Sequence, residues 1–512
     1  MLTFGVVYAL TDPDFLLCAR GIAMSMLLKR RMFLRFAALL VPTCIALPSS
    51  QADAGDQVFA SSNVTEMYLT MSAKQWDSLQ PAAGFGGGPG FGGGRGFGGA
   101  PGGTGQPGEE KETPDADVHH NTFGVEFPWS SGDLEYQGQT YRNVGIRYKG
   151  NYTFMATSQS LKKSFKIDIN RNVDDQKLDG MSMLNLHCGV SDPTMSRETL
   201  SYAFFREAGV PAPRTVFTKL FLTVPGKYDK ELVGVYTMTE QVNKPFLKKH
   251  FGDSSGMLLK PEGLQGGPVW MDAGWKAYEE KYRPDNKPKA DQKMRLISFT
   301  KLVSESSDED FSSEIGSYLD IDAFLRFIAA NALLSNLDSY LGYGHNYYLY
   351  LVPSTNKFVF IPWDLDLSMA TWPAAGTPEQ LVDLSIHHPH SGDNTLIDRL
   401  FSIAEHKERY VQILRELTEK KFTKERLFET LVPVERALEG PLAEEAKVIA
   451  SRNTNRGQNG FGGFGPGPGF GGQFGQSMPP RRFIDERIES VTAQLAGKRD
   501  GFVPRPFGFP GR

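Results

Sequence analysis

The spacing of apolar and polar positions divides the chain into a strand-rich first half and a helix-rich second half. Residues 64–71 alternate like a strand, and residues 72–79 predict a short helix with Ser72 as its cap. Residues 122–127 and 141–148 alternate again between glycine-bearing turns. The cleanest strand is 163–170, with Phe165, Ile167 and Ile169 on one face and Ser164, Lys166 and Asp168 on the other. Residues 193–209 change period: Met195, Leu200, Ala203, Phe204 and Ala208 recur at helical spacing, and Gly209 stops the helix. Residues 216–222 and 232–239 predict a hairpin. Later, 323–334 is a strongly apolar helix capped by Asp320 or Asp322. Two strands, 347–352 and 357–361, flank the turn 353–356. Residues 398–438 predict a pair of amphipathic helices, and 481–495 a final one.

Composition adds two interruptions to that pattern. Residues 84–108 and 457–475 hold 25 of the chain's 54 glycines, interleaved with phenylalanines such as Phe85, Phe91 and Phe97. Glycine this dense does not repay its ordering entropy, so both tracts are expected to be disordered insertions, available for surface partners. The remainder is globular: 40% of the chain is hydrophobic and 12% aromatic. Lys and Arg number 55 against 59 Asp and Glu, for a net charge of −4, which excludes a strongly basic nucleic-acid binder.

The first segment reads as an export signal. Lys29, Arg30, Arg31 and Arg35 precede an apolar run at 36–47, and Ala52-Asp53-Ala54 offers small residues for cleavage near Ala54. The run is short for a bilayer span, and no later segment predicts one. An exported protein (periplasmic, cell-surface or secreted) is expected. Cys188 is then the one cysteine of the mature chain, and it predicts a buried small hydrophobe.

Three features carry candidate chemistry. Asp338 sits in Asn336-Leu337-Asp338-Ser339-Tyr340, with Asn346 downstream. Asp364 and Asp366 sit in Pro362-Trp363-Asp364-Leu365-Asp366, after the two-stranded turn. Lys166 lies on a strand before Glu198 on a helix. Clustered carboxylates with an amide suit a hard cation that keeps positions for substrate phosphate. Taken singly, Asp338 could cap a helix and Asp364 could belong to an ordinary turn. Taken together, the order is that of a protein kinase: strand Lys, helix Glu, loop Asp, metal-binding Asn, then a second metal-binding Asp after a hairpin. Glu240, Lys260 and Glu262 near the lobe junction read more simply as surface or structural ion pairs.

These segments resemble the CotH family of spore-coat-protein-H-like atypical kinases. The carrying stretches are 143–151, Lys163-Ser164-Phe165-Lys166-Ile167, 192–197, 209–214, 336–340, His345-Asn346-Tyr347-Tyr348-Leu349-Tyr350 and Pro362-Trp363-Asp364. The resemblance implies an α+β, divergent protein-kinase-like two-lobed fold, with a β-rich N-lobe and a helical C-lobe. It also implies ATP with Mg²⁺ or Mn²⁺, and transfer of phosphate to Ser or Thr of protein partners. On that reading Asp338 is catalytic, Asp364, Asn346 and Asp366 are metal-facing, and Lys166, Glu198, Arg147 and Lys149 bind the cofactor. Residues 143–151 occupy the place of a phosphate cover but hold only Gly145 and Gly150, so a plain hairpin fits them equally. The Asp338–Asn346 spacing is longer than in ordinary kinases, and Asp364 is followed by Leu-Asp rather than Phe-Gly.

The resulting layout is an extension and signal (1–54), a lead-in strand and helix (55–82), an insertion (83–118), the β-rich lobe (119–245), the helical lobe (246–450), a second insertion (451–480), and a terminal helix and tail (481–512). Two rival functions share these features: an inactive structural or adhesive surface protein that keeps the kinase-like shape, and a metal-dependent phosphoesterase.

Overall fold

The computed structural model describes residues 53–81, 119–121, 124–264, 267–455 and 477–506. The basic and apolar segments of the expected export signal and both glycine/phenylalanine tracts lie outside the described residues.

The first half is a closed barrel of seven strands: β1 (Thr65–Thr70), β2 (Ser130–Tyr136), β3 (Gln139–Tyr148), β4 (Phe165–Asp168), β5 (Met183–His187), β6 (Thr215–Val224) and β7 (Tyr228–Thr239). Their order is β1-β2-β3-β4-β5-β7-β6. Closure comes from a parallel pairing of β1 with β6, in register from Thr65↔Thr218 to Thr70↔Thr223. The helix expected at 72–79 is α1 (Ala73–Leu79), and Ser72 and Gln75 form a reciprocal capping box at its start. Between β2 and β3 the chain turns through Gln137 and Gly138, both at positive φ, 49° and 76°. That is the two-residue turn whose twist matches a hairpin.

Strand alternation sorts the side chains. Met67, Leu69, Ile146, Ile167, Leu186 and Met238 fill the barrel. With a period of two, their neighbours Arg147, Lys149, Lys166, Asn185, His187 and Thr239 fall on the outer face. Cys188 is buried and free, as expected.

The second half is helical around one hairpin. Strands β8 (Leu258–Leu259), β9 (Tyr347–Val352) and β10 (Lys357–Pro362) form a small sheet in that order. Tyr347, Leu349, Leu351, Phe358 and Phe360 enter the main helical core. Tyr348, Tyr350, Val359, Ile361 and Trp363 enter a second cluster on the opposite face. Burial on both faces is why these strands read as nearly unbroken apolar runs. Helix α2 (Arg197–Glu207) packs between the halves. Helix α3 (Ile321–Leu333) is capped by Asp320, whose carboxylate accepts from Ala323 N at 3.1 Å. The expected pair of helices at 398–438 is three in fact: Thr395–Ser402, Ala404–Lys420 and α4 (Lys424–Asn455). No helix among the described residues is long and apolar enough to cross a membrane.

Two late helices are structural members of the site-bearing core. From α4, Glu445 accepts Lys162 Nζ and Val235 N, each at 2.7 Å, which fastens the helix to the barrel. The final helix, α5 (Pro480–Leu495), carries the fully buried Arg487. Its guanidinium donates to Ala332 O at 2.7 Å, Leu333 O at 3.2 Å, Val382 O at 3.0 Å and Leu384 O at 2.7 Å. Ala332 and Leu333 end α3, so Arg487 satisfies carbonyls that a helix terminus leaves open. Just before α5, Met478 O accepts from Arg197 Nη2 at 2.9 Å.

A chain ended at Asn455 should therefore fail to reach the native fold, read as lost near-UV circular dichroism and poor solubility. Native spectra from that truncation would refute the structural role of α5. In the full chain, Arg487→Met removes a donor from four buried carbonyls, of which Ala332 O keeps Ser335 N and Leu384 O keeps Gln494 Nε2, and should lower stability by about 3 kcal/mol in denaturant titration.

Candidate active site

The outer face of the barrel supplies the cationic side of the cleft. Strand pairing sets Arg147 opposite Lys166, and Lys166 opposite Asn185. One step along, Lys149 and His187 meet: Lys149 Nζ donates to His187 Nε2 at 2.6 Å. The other ring nitrogen, Nδ1, lies 2.9 and 3.0 Å from the two Glu198 carboxylate oxygens. Thr239 Oγ1 donates to Glu198 Oε1 at 3.2 Å.

Glu198 is placed by α2. Asp192 accepts from Arg197 N at 2.8 Å and pairs with the Arg197 guanidinium, inside a fully buried helix start. One turn beyond Glu198, the Tyr202 hydroxyl accepts the backbone N–H of Asp364 at 3.0 Å. Ser201 Oγ meets Ser368 Oγ at 2.8 Å. Residues at i, i+3 and i+4 share a helix face, so one face of α2 holds both Glu198 and the segment that carries Asp364 and Asp366.

The hairpin returns the acidic side to the same place. Trp363 N donates to Asn346 O at 3.0 Å, so the entry to β9 and the exit of β10 are adjacent. Asn346 and Asp364 both adopt left-handed backbone, φ 56° and 55°, a conformation that Asn and Asp tolerate better than other non-glycine residues. Asn346 Nδ2 donates to Asp338 O at 2.9 Å and Asp338 Oδ2 at 3.2 Å. His345 Nε2 lies 2.8 Å from Asp338 Oδ1. Burial works against a charged His345 ring, but the Asp338 carboxylate outweighs it and holds the ring above its ordinary pKa.

Charge is separated into two poles across the indole of Trp363. Lys149 Nζ and Lys260 Nζ sit 5.3 and 5.7 Å from the Trp363 ring centre. Burial lowers Lys149 to about 7, and the neighbouring ammoniums of Lys260 and Lys166 add to that. Lys166 is lowered to about 8, by burial first and then by Arg147. On the other side burial raises Glu198, with Asp364 adding to the rise. Asp366 is raised well above the carboxylate range by burial, then by Asp364, Glu198 and Asp338. His187 is pushed down to about 3 by burial and by Lys149, so its imidazole is neutral.

The structure thus brings Lys149, Lys166, Glu198, Asp338, Asn346, Asp364 and Asp366 to one cleft, but pairs them differently from the sequence reading. Glu198 bonds His187 and Thr239, not Lys166. Lys166 is set off by Asn185, whose amide donates to Thr239 O at 3.3 Å and Gln241 Oε1 at 3.0 Å. Arg147 lies 5.1 Å from the Trp129 ring centre and donates to Tyr148 O at 2.9 Å, farther along the face. Glu240 is a structural partner of Arg214 at 2.6 Å, and Glu262 faces Arg283 at 3.4 Å. Lys260 belongs to the cleft. Sequence reasoning missed His187, Tyr202, Thr239 and the role of His345; a histidine on the polar face of a short strand was the available signal for His187. A groove of about 560 Å³ lies on the barrel among Gln75, Trp129, Asn143 and Arg171. It has no acidic lining, so volume and chemistry do not coincide here.

The donor set fits a hard divalent cation. The Asp364 and Asp366 carboxylates take no hydrogen bond or ion pair from any described residue, and Asn346 spends its amide N–H on Asp338, which leaves its oxygen. Among the described residues no three His, Cys, Asp or Glu side chains already enclose an ion. Mg²⁺ takes one or two protein carboxylates and completes its shell with water and substrate phosphate, and Asp364, Asp366 and the Asn346 oxygen are the groups that would hold it.

Residues 146–460 match the family described as CotH kinase protein. The match spans more than half of the chain, and the chain belongs to that family. The inner spore coat protein H of Bacillus subtilis (strain 168) is 26% identical over 291 residues, which cover 55% of this chain and 72% of that protein. An inner spore coat protein H-like protein of the same organism is 23% identical over 254 residues, covering 49% and 67%. Among solved structures, a Shewanella oneidensis MR-1 toxin–antitoxin complex of HipA, HipB and operator DNA aligns over 73% of this chain and 65% of its own, at 10% identity and TM-score 0.24. The Helicobacter pylori proinflammatory kinase CtkA aligns over 63% of this chain and 92% of its own, at 9% identity and TM-score 0.20. Overlap that low carries no argument, and the family match is what places the α+β fold among kinase-like proteins.

Replacing Asp366 with Asn should raise the melting temperature of the metal-free protein at neutral pH, because burial and the neighbouring carboxylates force this carboxyl to be held protonated, a cost an amide does not carry. If Mg²⁺ with ATP stabilises wild type, the same variant should lose that stabilisation. A lower melting temperature without metal, or full retention of the ligand effect, would contradict this account of the acidic pole.

Proposed function

We propose that this CotH-family chain is an atypical protein kinase that transfers the γ-phosphate of ATP to a Ser or Thr hydroxyl of a protein partner. One observation carries the proposal: lysines without carboxylate contacts and carboxylates without donors face each other in one cleft, with Asp338 held between His345 and Asn346. Phosphoryl transfer needs cations for the phosphates, oxygen ligands for metal, and one base for the hydroxyl, and little else.

Lys149, Lys166 and Lys260 would hold the phosphates. Asp364, Asn346 and Asp366 would hold Mg²⁺, which when bound neutralises charge on the transferred group and restores ionised Asp366. Asp338 keeps free lone pairs despite its two partners, because a carboxylate accepts at about four sites. It accepts the hydroxyl proton as the alcohol oxygen bonds to phosphorus and the bond to the bridging oxygen breaks. Asn346 and His345 keep its carboxylate turned to that task. The names of the two B. subtilis relatives place them in the spore coat. With the export signal expected at the start of this chain, they favour a partner protein met outside the cytoplasm.

The test is incubation with ATP, Mg²⁺ and a Ser/Thr-rich protein. Wild type should label the protein, and Asp338→Ala and Asp364→Ala should each reduce labelling at least ~100-fold. Equal labelling by all three ends the enzyme claim in favour of a scaffold. Free phosphate without labelled protein would favour a phosphoesterase.

A further inference from the structure

We propose that His187 is a positioning residue for the nucleotide phosphates: a neutral imidazole that bridges Lys149 to Glu198 and makes Lys149, rather than Lys166, the lysine anchored to helix α2. This rests on the kinase reading above.

With Lys149 as the ammonium and Glu198 as the carboxylate, the geometry leaves one arrangement of protons on the ring. An ammonium has only donors, so His187 Nε2, 2.6 Å from Lys149 Nζ, must present its lone pair. A carboxylate has only acceptors, so Nδ1, 2.9 and 3.0 Å from Glu198, must carry the hydrogen. Thr239 Oγ1 already donates to Glu198 Oε1, which marks that group as the acceptor. The single state that satisfies all three contacts is the neutral Nδ1–H tautomer. The ring is buried and stands edge-on to Trp363, with centres 6.0 Å apart and planes at 88°.

This differs in effect from a lysine paired directly with a carboxylate. A neutral acceptor takes one ammonium hydrogen without cancelling the charge, so an ammonium at Lys149 stays uncompensated by carboxylate and open to phosphate. Its position is nonetheless fixed by α2, through Glu198. The same helix fixes Asp364 through the Tyr202 hydroxyl. One helix face therefore sets the distance between the phosphate lysine and the metal-facing loop. Lys166 has no such tether: its cross-strand neighbour Asn185 is committed to Thr239 and Gln241.

Two measurements on the full chain test this. Histidine ¹⁵N NMR without nucleotide should show His187 protonated at Nδ1 alone from pH 8 down to about pH 5. Hydrogen at Nε2, or on both nitrogens, overturns the bridge whether or not the protein binds nucleotide. Calorimetric titration with Mg·ATP then tests the role. His187→Leu and Lys149→Met should each weaken binding by about 10–100-fold, and the double variant should be no weaker than Lys149→Met alone. His187→Gln, which can accept and donate at once, should recover most of the affinity. Additive losses, or wild-type binding by Lys149→Met while Lys166→Met binds nothing, overturns the proposal. Absence of Mg·ATP binding by wild type sinks the kinase reading instead, and the tautomer still decides the bridge.

Discussion

Crowding of like charge in one cleft is the constraint on which the rest of the structure depends. Burial first, and the Lys260 ammonium beside them, depress Lys149 and Lys166, while Asp364, Glu198 and Asp338 press on Asp366. Ionised groups held this way lose hydration and gain no compensating partner, a cost of several kcal/mol each before relaxation. A domain has only about 5–15 kcal/mol of net stability to set against such costs. The cleft therefore exists only because its walls are fixed by interactions that do not involve the crowded groups.

Those interactions come from the backbone and from buried polar contacts behind the cleft. The hairpin of β9 and β10 is packed on both faces, each into its own cluster of large side chains whose shapes hold it in place. That fixes the ends carrying Asn346 and Asp364. Arg197 locks the start of α2 to Asp192 and to the carbonyl of Met478, and Arg487 closes the end of α3 from α5. Both contacts reach across sequence to a helix that follows the second glycine-rich tract. Glu445 fastens α4 to the barrel in the same manner. Rigidity at the site is thus supplied by segments distant in sequence, which is what preorganised charge requires.

The parts legible in the sequence were those with local signals. The 163–170 alternation, the Ser72 cap, the 347–361 hairpin and the order Asp338, Asn346, Asp364 each depend on neighbours a few residues away, and each is present in the structure at nearly the expected bounds. β2 was missed because Ser130, Ser131 and Gly132 dilute its alternation. β5 was missed because it is five residues long with Asn185 and His187 on its polar face. The partner of Glu198 was misread for the same reason: Lys166 and Lys149 lie on neighbouring strands of one face, and only register decides which meets a helix residue. Barrel closure through the parallel β1–β6 pair, and the burial of Arg487, depend on contacts between distant segments that no local period encodes.

The balance of costs also separates the competing functional readings. A scaffold needs a stable surface and gains nothing from Asp364 and Asp366 left without donors beside Asp338. Neutral amides at those places would hold the same backbone with less repulsion. Nor does it gain from left-handed backbone at both Asn346 and Asp364, or from a lysine kept charged against a neutral imidazole rather than paired with a carboxylate. Each departure costs the ligand-free chain stability, and a cation or a phosphate bound among these groups would offset that cost. Local rules are broken together at one place and kept elsewhere in the core, which is the pattern of a site organised for a ligand that carries both charges. A nucleoside triphosphate with its metal would be such a ligand: its phosphates would answer the lysines and its metal the carboxylates.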